Sequence, residues 1–330
     1  MPRPTAFELS ERIRRVTGAQ HVELTERLQS LWGGYGELYR VQLSGTRIES
    51  AIVKSVTPPA ERELARDPAQ LRSHRRKLRS YSVELAFYQG FAQSCDAVCR
   101  VPEFLSGEAR EGRFLFVLED LDQAGYSARR THCTPLEIKA CLAWLAAFHA
   151  RFVGVEPAGL WKVGCYWHLA TRPDELARLN SAELRRVAAS IDQRLNAASF
   201  RSLVHGDAKL ENFCFPSVDQ GVAAVDFQYV GAGIGVKDVA YFLSSCLSPA
   251  ECRVQIPGYL DSYFQVLRTA LAAQGKLTSS EIDALEREWR ALFPWAWADF
   301  HRFLLGWAPG YAASDTYGNM QLELVRLALR

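Results

Sequence analysis

The 330-residue chain carries 39 basic and 37 acidic side chains, a formal net charge of +2, and this near balance argues against nucleic acid as a partner. Hydrophobic residues make up 48% and charged ones 23%, the balance of a globular protein, and no apolar run approaches the ~20 residues of a membrane span. Eight cysteines without a Cys-x-x-Cys pair argue against a disulfide scaffold and against zinc, and the opening "MPRPTAFELSERIRR" has no apolar signal core, so a cytoplasmic protein with free thiols is expected.

Residues 6 to 20 predict a short helix. Three strands follow in "ELTERLQSLWGGYGELYRVQLSGTRIESAIVKSV", the first ending near Trp32. Gly33, Gly34 and Gly36 turn the chain into "ELYRVQL", and "SAIVKSV" is a β-branched run. "TPPAERELARDPAQ" reads as a loop, "LRSHRRKLRSYSVELAFYQGFAQ" as a helix, and "CRVPEFLSGEAREGRFLFVLEDL" as two strands around a turn. After residue 121 the pattern changes. "PLEIKACLAWLAAFHARF" puts Leu142, Leu145, Phe148 and Phe152 on one helical stripe, and residues 174 to 197 are helical. "LVHGDAKLENFCF" and a hairpin, "FCFPSVDQGVAAVDFQ", interrupt the helices, which resume from 236 to 330.

His205, Asp207, Lys209 and Asn212 fall within eight residues, and Asp226 is expected at the end of the hairpin's second strand. Asp and Asn are also common in turns, where their side chains bond the local backbone. Two carboxylates and an amide that converge suit Mg²⁺, an ion that takes few protein oxygens and shares phosphates. Phosphoryl transfer needs positioning, charge neutralisation and a group to take an alcohol's proton.

"HGDAKLEN" followed by "VDFQ" resembles the catalytic loop and metal motif of protein-kinase-like phosphotransferases, in the aminoglycoside phosphotransferase and choline kinase branch. "SVELAFYQGF", "FVLEDL" and "VDFQ…KDVAYFL" look most like its ecdysteroid-kinase-like group, over roughly residues 25 to 310. The resemblance implies an α+β, two-lobed protein-kinase-like fold. An N-terminal β-sheet lobe with one main helix (1–120) would bind ATP, and a mostly helical lobe (121–330) would carry catalysis and the acceptor.

By the same resemblance, Asp207 is the catalytic base, Asn212 and Asp226 hold Mg²⁺, and His205 orients the loop. Lys209 stands two residues after Asp207, where serine/threonine kinases place a lysine that can offset phosphoryl charge. Gly34 and Gly36 match the first two glycines of the phosphate loop, with Tyr39 in place of the third. Lys54 would bind phosphates and pair with Glu84, one helical turn before Tyr88, and adenine would bond the backbone between Glu119 and Leu121. Asp238 opens an apolar helix, where it reads as an N-cap; the resemblance implies support of the catalytic loop. The short span from Asp226 to Asp238, with no Ala-Pro-Glu motif, favours a small-molecule alcohol over a protein acceptor.

"RSHRRKLRS" (72–80) reads as one solvated helix face, and His149 as a satisfied core histidine. His132 and Cys133 lack partners at metal spacing. Trp289, Trp295, Trp297, Phe300, Trp307 and Tyr311 fit an ammonium cage, an apolar wall or plain core equally well. Asp299 and Asp315 are the acids there to watch for a polycation, although the even charge after residue 250 disfavours one. Alternatives to a kinase of this kind are an aminoglycoside or choline/ethanolamine kinase proper, and a nucleotide-binding pseudokinase. Acceptor identity and oligomeric state lie beyond the sequence.

Overall fold

Thr5 and Glu8 exchange side-chain and backbone hydrogen bonds in a capping box that opens α1 (Ala6–Thr17), and Gly18 ends it at φ 71°. The computed structural model describes residues 5–61, 67–179, 181–216 and 221–330. Part of the loop expected after Val56, and the tip of the hairpin expected after Phe215, lie outside the described residues.

Five antiparallel strands follow α1: β1 (His21–Ser30), β2 (Gly36–Ser44), β3 (Ser50–Val56), β4 (Phe104–Arg110) and β5 (Arg113–Glu119), in the spatial order β1-β2-β3-β5-β4. The long helix α2 (Pro68–Gly90) is inserted between β3 and β4. Alternation in β3 and β5 sorts the two faces of the sheet. Val53, Leu115 and Val117 join Leu9 and Ile13 of α1 in one apolar cluster. Val56, Phe114, Phe116 and Leu118 join Tyr81, Leu85 and Tyr88 of α2 in the other. Lys54 shares the α2 face, because it alternates with Val53.

The rest of the described chain is mostly helical. It comprises α3 (Pro135–Arg151), α4 (Pro173–Ala177), α5 (Ala182–Asn196), α6 (Val236–Cys246), α7 (Pro249–Gln274), α8 (Ser279–Trp307), α9 (Pro309–Ser314) and α10 (Thr316–Ala328). Capping boxes at Thr134/Glu137, Ser248/Glu251 and Thr278/Glu281 start α3, α7 and α8. The helical stretch expected from 174 to 197 comprises two helices, α4 and α5. Four short strands interrupt the helices: β6 (Ser202–Val204) pairs with β9 (Gly231–Gly233), and β7 (Phe213–Cys214) with β8 (Ala223–Ala224). Among the described residues no helix is long and apolar enough to cross a membrane.

The C-terminal aromatics divide. Trp289, Trp297 and Phe300 are buried in the core, whereas Trp307 and Tyr311 are exposed. Asp299 is not open to a polycation: its carboxylate accepts from Arg302 (2.7 Å), Trp167 Nε1 (3.0 Å) and Lys237 (3.1 Å). Asp315 is likewise engaged, by His301 and by the Gly318 amide.

Candidate active site

The loop between β6 and β7 is held by its own backbone geometry. Gly206 has φ 79°, and a Cβ there would stand 2.1 Å from the Tyr229 carbonyl, so only glycine fits. His205 is fully buried. Its Nε2–H donates to the Val225 carbonyl (3.0 Å), and its Nδ1 accepts from the Asp207 amide (3.3 Å). Burial lowers its pKa, so the ring is neutral and serves as a spacer between the loop and the segment leading to Asp226.

Asp238 holds the loop from the other side. Its carboxylate accepts from the amides of His205 (2.6 Å) and Gly206 (2.9 Å) and from His149 Nε2 (3.0 Å). His149 Nδ1 in turn accepts from the Tyr263 hydroxyl (2.8 Å). Of the two readings of Asp238, support of the loop holds and the N-cap does not: Gly235 precedes α6 without a side-chain cap, and the aspartate points back at the loop. His149 is the satisfied core histidine expected, and its partner is this brace.

Asp207 and Asn212 meet. Asn212 Nδ2 donates to the Asp207 carbonyl (2.7 Å) and to its carboxylate (3.3 Å). Burial, and then the nearby charge of Asp226, push the Asp207 carboxyl up to about 7, against the pull of Lys209, Asn212 and Tyr241. Asp226 lies two residues beyond β8 rather than at a strand end, in left-handed backbone at φ 67°. One of its carboxylate oxygens, Oδ1, is buried and has no hydrogen-bond partner. The adjoining Phe227 stacks on Phe87 of α2 at 4.0 Å, which ties this segment to the sheet's helix.

From the sheet side, Lys54 Nζ lies 2.7 and 3.0 Å from the two Glu84 oxygens and 3.9 Å from Asp226 Oδ1. Burial opposes the lysine's charge, but Glu84 and Asp226 raise its pKa, so it stays protonated. Lys54, Glu84, Asp226, Asn212, Asp207 and Lys209 thus come together between the sheet and the helices. Gly34 belongs to the turn between β1 and β2, and Gly36 pairs with Val56, two residues from Lys54. Glu119 and Leu121 stand apart. The Glu119 carboxylate is engaged with Arg100, and its amide donates to the Glu103 carbonyl (3.0 Å). The Leu121 carbonyl accepts from Tyr126 (2.8 Å), and its amide has no acceptor among the described residues.

The basic run 72–80 is a solvated face only in part: Arg72, Arg75 and Arg79 are exposed, yet several of its guanidinium groups reach across to other segments. Arg76 donates to the Thr171 carbonyl (3.2 Å), and Arg79 to those of Gly159 (3.2 Å) and Leu160 (2.9 Å), while Arg72 pairs with Asp174. Composition alone could not separate these contacts from solvent exposure, because their acceptors lie eighty or more residues away.

A family model described as a phosphotransferase enzyme family matches residues 27–273. Among solved structures, an amicoumacin kinase in complex with AMP-PNP, Ca²⁺ and Ami aligns over 94% of this chain and 92% of that one, at 12% identity and a TM-score of 0.52. A microcompartment-associated aminopropanol kinase aligns over 93% and 92%, at 14% identity and 0.49. A Plasmodium vivax ethanolamine kinase aligns over 93% and 82%, at 14% identity and 0.46. No curated protein matched the sequence in a direct comparison. The first of these structures shares the two-part fold, and the family model covers well over half of the chain, which therefore belongs to the phosphotransferase enzyme family.

Proposed function

We propose that the protein is an ATP- and Mg²⁺-dependent kinase that transfers the γ-phosphate to a hydroxyl of a small molecule. The observation that carries this reading is the orphaned Asp226 oxygen, facing Lys54 across the junction of sheet and helices. A buried carboxylate oxygen without a donor is costly unless a ligand meets it. Asn212 has spent its NH₂ on Asp207, and its amide oxygen has no bond within the described protein. Among the described residues no three His, Cys, Asp or Glu side chains cluster as a metal cage. Two protein oxygens, from Asn212 and Asp226, suit an ion that draws its other ligands from phosphates and water. When bound there, Mg²⁺ would supply charge neutralisation at the phosphates.

The chain's own residues do the rest. Lys54, held straight by Glu84, meets the α- and β-phosphates, and the amides around Gly34 and Gly36 cover them. The free Leu121 amide and the Glu119 carbonyl take the adenine edge. Asp207 accepts the acceptor's hydroxyl proton as that oxygen bonds the γ-phosphorus and the bond to the β,γ-bridging oxygen breaks, releasing ADP. A carboxyl lifted to about 7 is matched to that task near neutral pH. Lys209 offsets charge on the transferring group. Membership of the ecdysteroid-kinase-like group is part of the proposal and rests on the motif wording alone.

The test is ADP release from ATP and Mg²⁺ across choline, aminoglycosides, sugars, nucleosides and steroids. Asp207→Asn should cut turnover by roughly 10²–10⁴-fold while nucleotide still stabilises the fold. Turnover that survives in the variant would remove Asp207 from the chemistry and the reading with it.

A further inference from the structure

His74, Lys77, Tyr81 and Glu84 follow one another along one face of α2, a helical turn apart. The last two serve Lys54: Glu84 pairs with its ammonium, and the Tyr81 ring centre lies 5.4 Å from it. The first two reach the glycine turn between β1 and β2. His74 Nδ1 and the Tyr35 hydroxyl share a hydrogen bond of 2.7 Å. The Lys77 ammonium sits 4.2 Å from the Tyr35 ring centre and 4.4 Å from that of Trp32. A Cβ on Gly33 would stand 2.7 Å from this ammonium, so Lys77 is seated directly against the backbone of the turn.

Backbone bonds hold the tip of the turn only to itself among the described residues. The Gly34 amide donates to the Leu31 carbonyl (3.0 Å), and the bond to β3's end, from the Thr57 amide to the Tyr35 carbonyl (2.7 Å), lies beyond the tip. Trp32 is 81% exposed, so its ring adds little to the core, yet it lies over Lys77. An exposed indole set over an ammonium is held by the attraction of a cation for a π face. Earlier in α2, Arg72 and Arg75 pair with Asp174 and Glu61, whereas Lys77 meets no carboxylate among the described residues and turns its charge to the two rings.

The titratable and charged groups around Lys77 are Tyr35 on the turn, His74 and Arg76 on α2, and Arg172 before α4. Burial, and then the charges of Arg76 and Arg172, lower the Lys77 pKa to about 8. Burial also raises Tyr35 and lowers His74, so both are neutral in that range and Lys77 is the group of this set that titrates there.

Building on the function proposed above, we infer that Lys77 is a positioning residue for the donor nucleotide: held against Trp32 and Tyr35, its ammonium fastens the glycine turn to the helix that also holds Lys54 through Glu84. One helix then sets both the amides and the lysine that meet the phosphates. A turn fixed before the nucleotide arrives has less freedom to lose on binding.

The experiment titrates the full chain with ADP and Mg²⁺, and separately with adenosine, by calorimetry. Lys77→Met should weaken ADP by about tenfold and Trp32→Ala by about threefold, and both should leave adenosine within about twofold, because the turn meets only phosphates. The double variant should match Lys77→Met alone, since the two changes remove a shared contact. Lys77→Arg should keep the affinity of wild type. As pH rises through about 8, wild type should fall towards Lys77→Met in ADP affinity, whereas Lys77→Arg should not. ADP affinity unchanged in Lys77→Met, an equal loss for adenosine, losses that add in the double variant, or a flat pH profile overturns the inference. Trp32→Ala alters an exposed side chain, so it tests the contact even where Lys77→Met does not fold: an unchanged ADP affinity there overturns the inference too. Failure of wild type to bind ADP would overturn the kinase reading itself, whereas ADP binding indifferent to Lys77 removes only this fastening.

Discussion

At the scale of single residues, Asp207 carries a cost that the proposed function would explain. Its native pKa is about 7, whereas an ordinary aspartate titrates near 3.8. Between those values the unfolded chain has lost the proton that the native state still holds, so raising the pH through this window favours unfolding. Stability from this group is therefore complete below the ordinary value and lost as pH rises through 7. Asp207→Asn removes the penalty. Its Tm, measured in metal-free buffer, should exceed wild type by on the order of a few degrees at pH 8 and match it near pH 4. Lys54 and Glu84 were legible as a pair from the order of motifs that carries the family resemblance, and the structure brings them together. Lys77 was not legible, because an unpaired cation and a paired one look alike in a basic run.

At the scale of elements, the β6–β7 loop hangs from α6 through one carboxylate. Asp238→Ala would strip acceptors from two buried amides and from His149 at once. Such a loss should cost about 3 kcal/mol or more, read as a lower urea midpoint with an unchanged m-value. Asp238→Asn keeps one acceptor oxygen and should cost less. The strands and helices themselves were mostly legible: β3 spans Ser50–Val56 as its β-branched run predicts, and α3 ends one residue before the expected Phe152. The role of Asp238 was not legible from local pattern. A carboxylate at the start of a helix looks like a cap, and only the fold brings it to amides thirty-odd residues upstream.

At the scale of the whole molecule, the position of α2 is set from both sides. Glu84 and Phe87 reach Lys54 and Phe227, while Arg76 and Arg79 grip the segment from Gly159 to Thr171. Arg79→Ala removes two of these bonds from a half-exposed site. It should lower Tm by about 2–4 °C in scanning calorimetry, the shift expected for a loss near 1 kcal/mol.

The partners in that grip are peptide carbonyls, which neither titrate nor carry a full charge to be screened. Surface ion pairs such as Arg75–Glu61 weaken in brine or acid; a guanidinium seated on backbone oxygen weakens far less. The sheet and the helices should therefore melt in one transition in 1 M NaCl as in dilute buffer. The joint between α2 and the segment from Gly159 to Thr171 is then indifferent to the medium around it, a mechanical fastening rather than an electrical one.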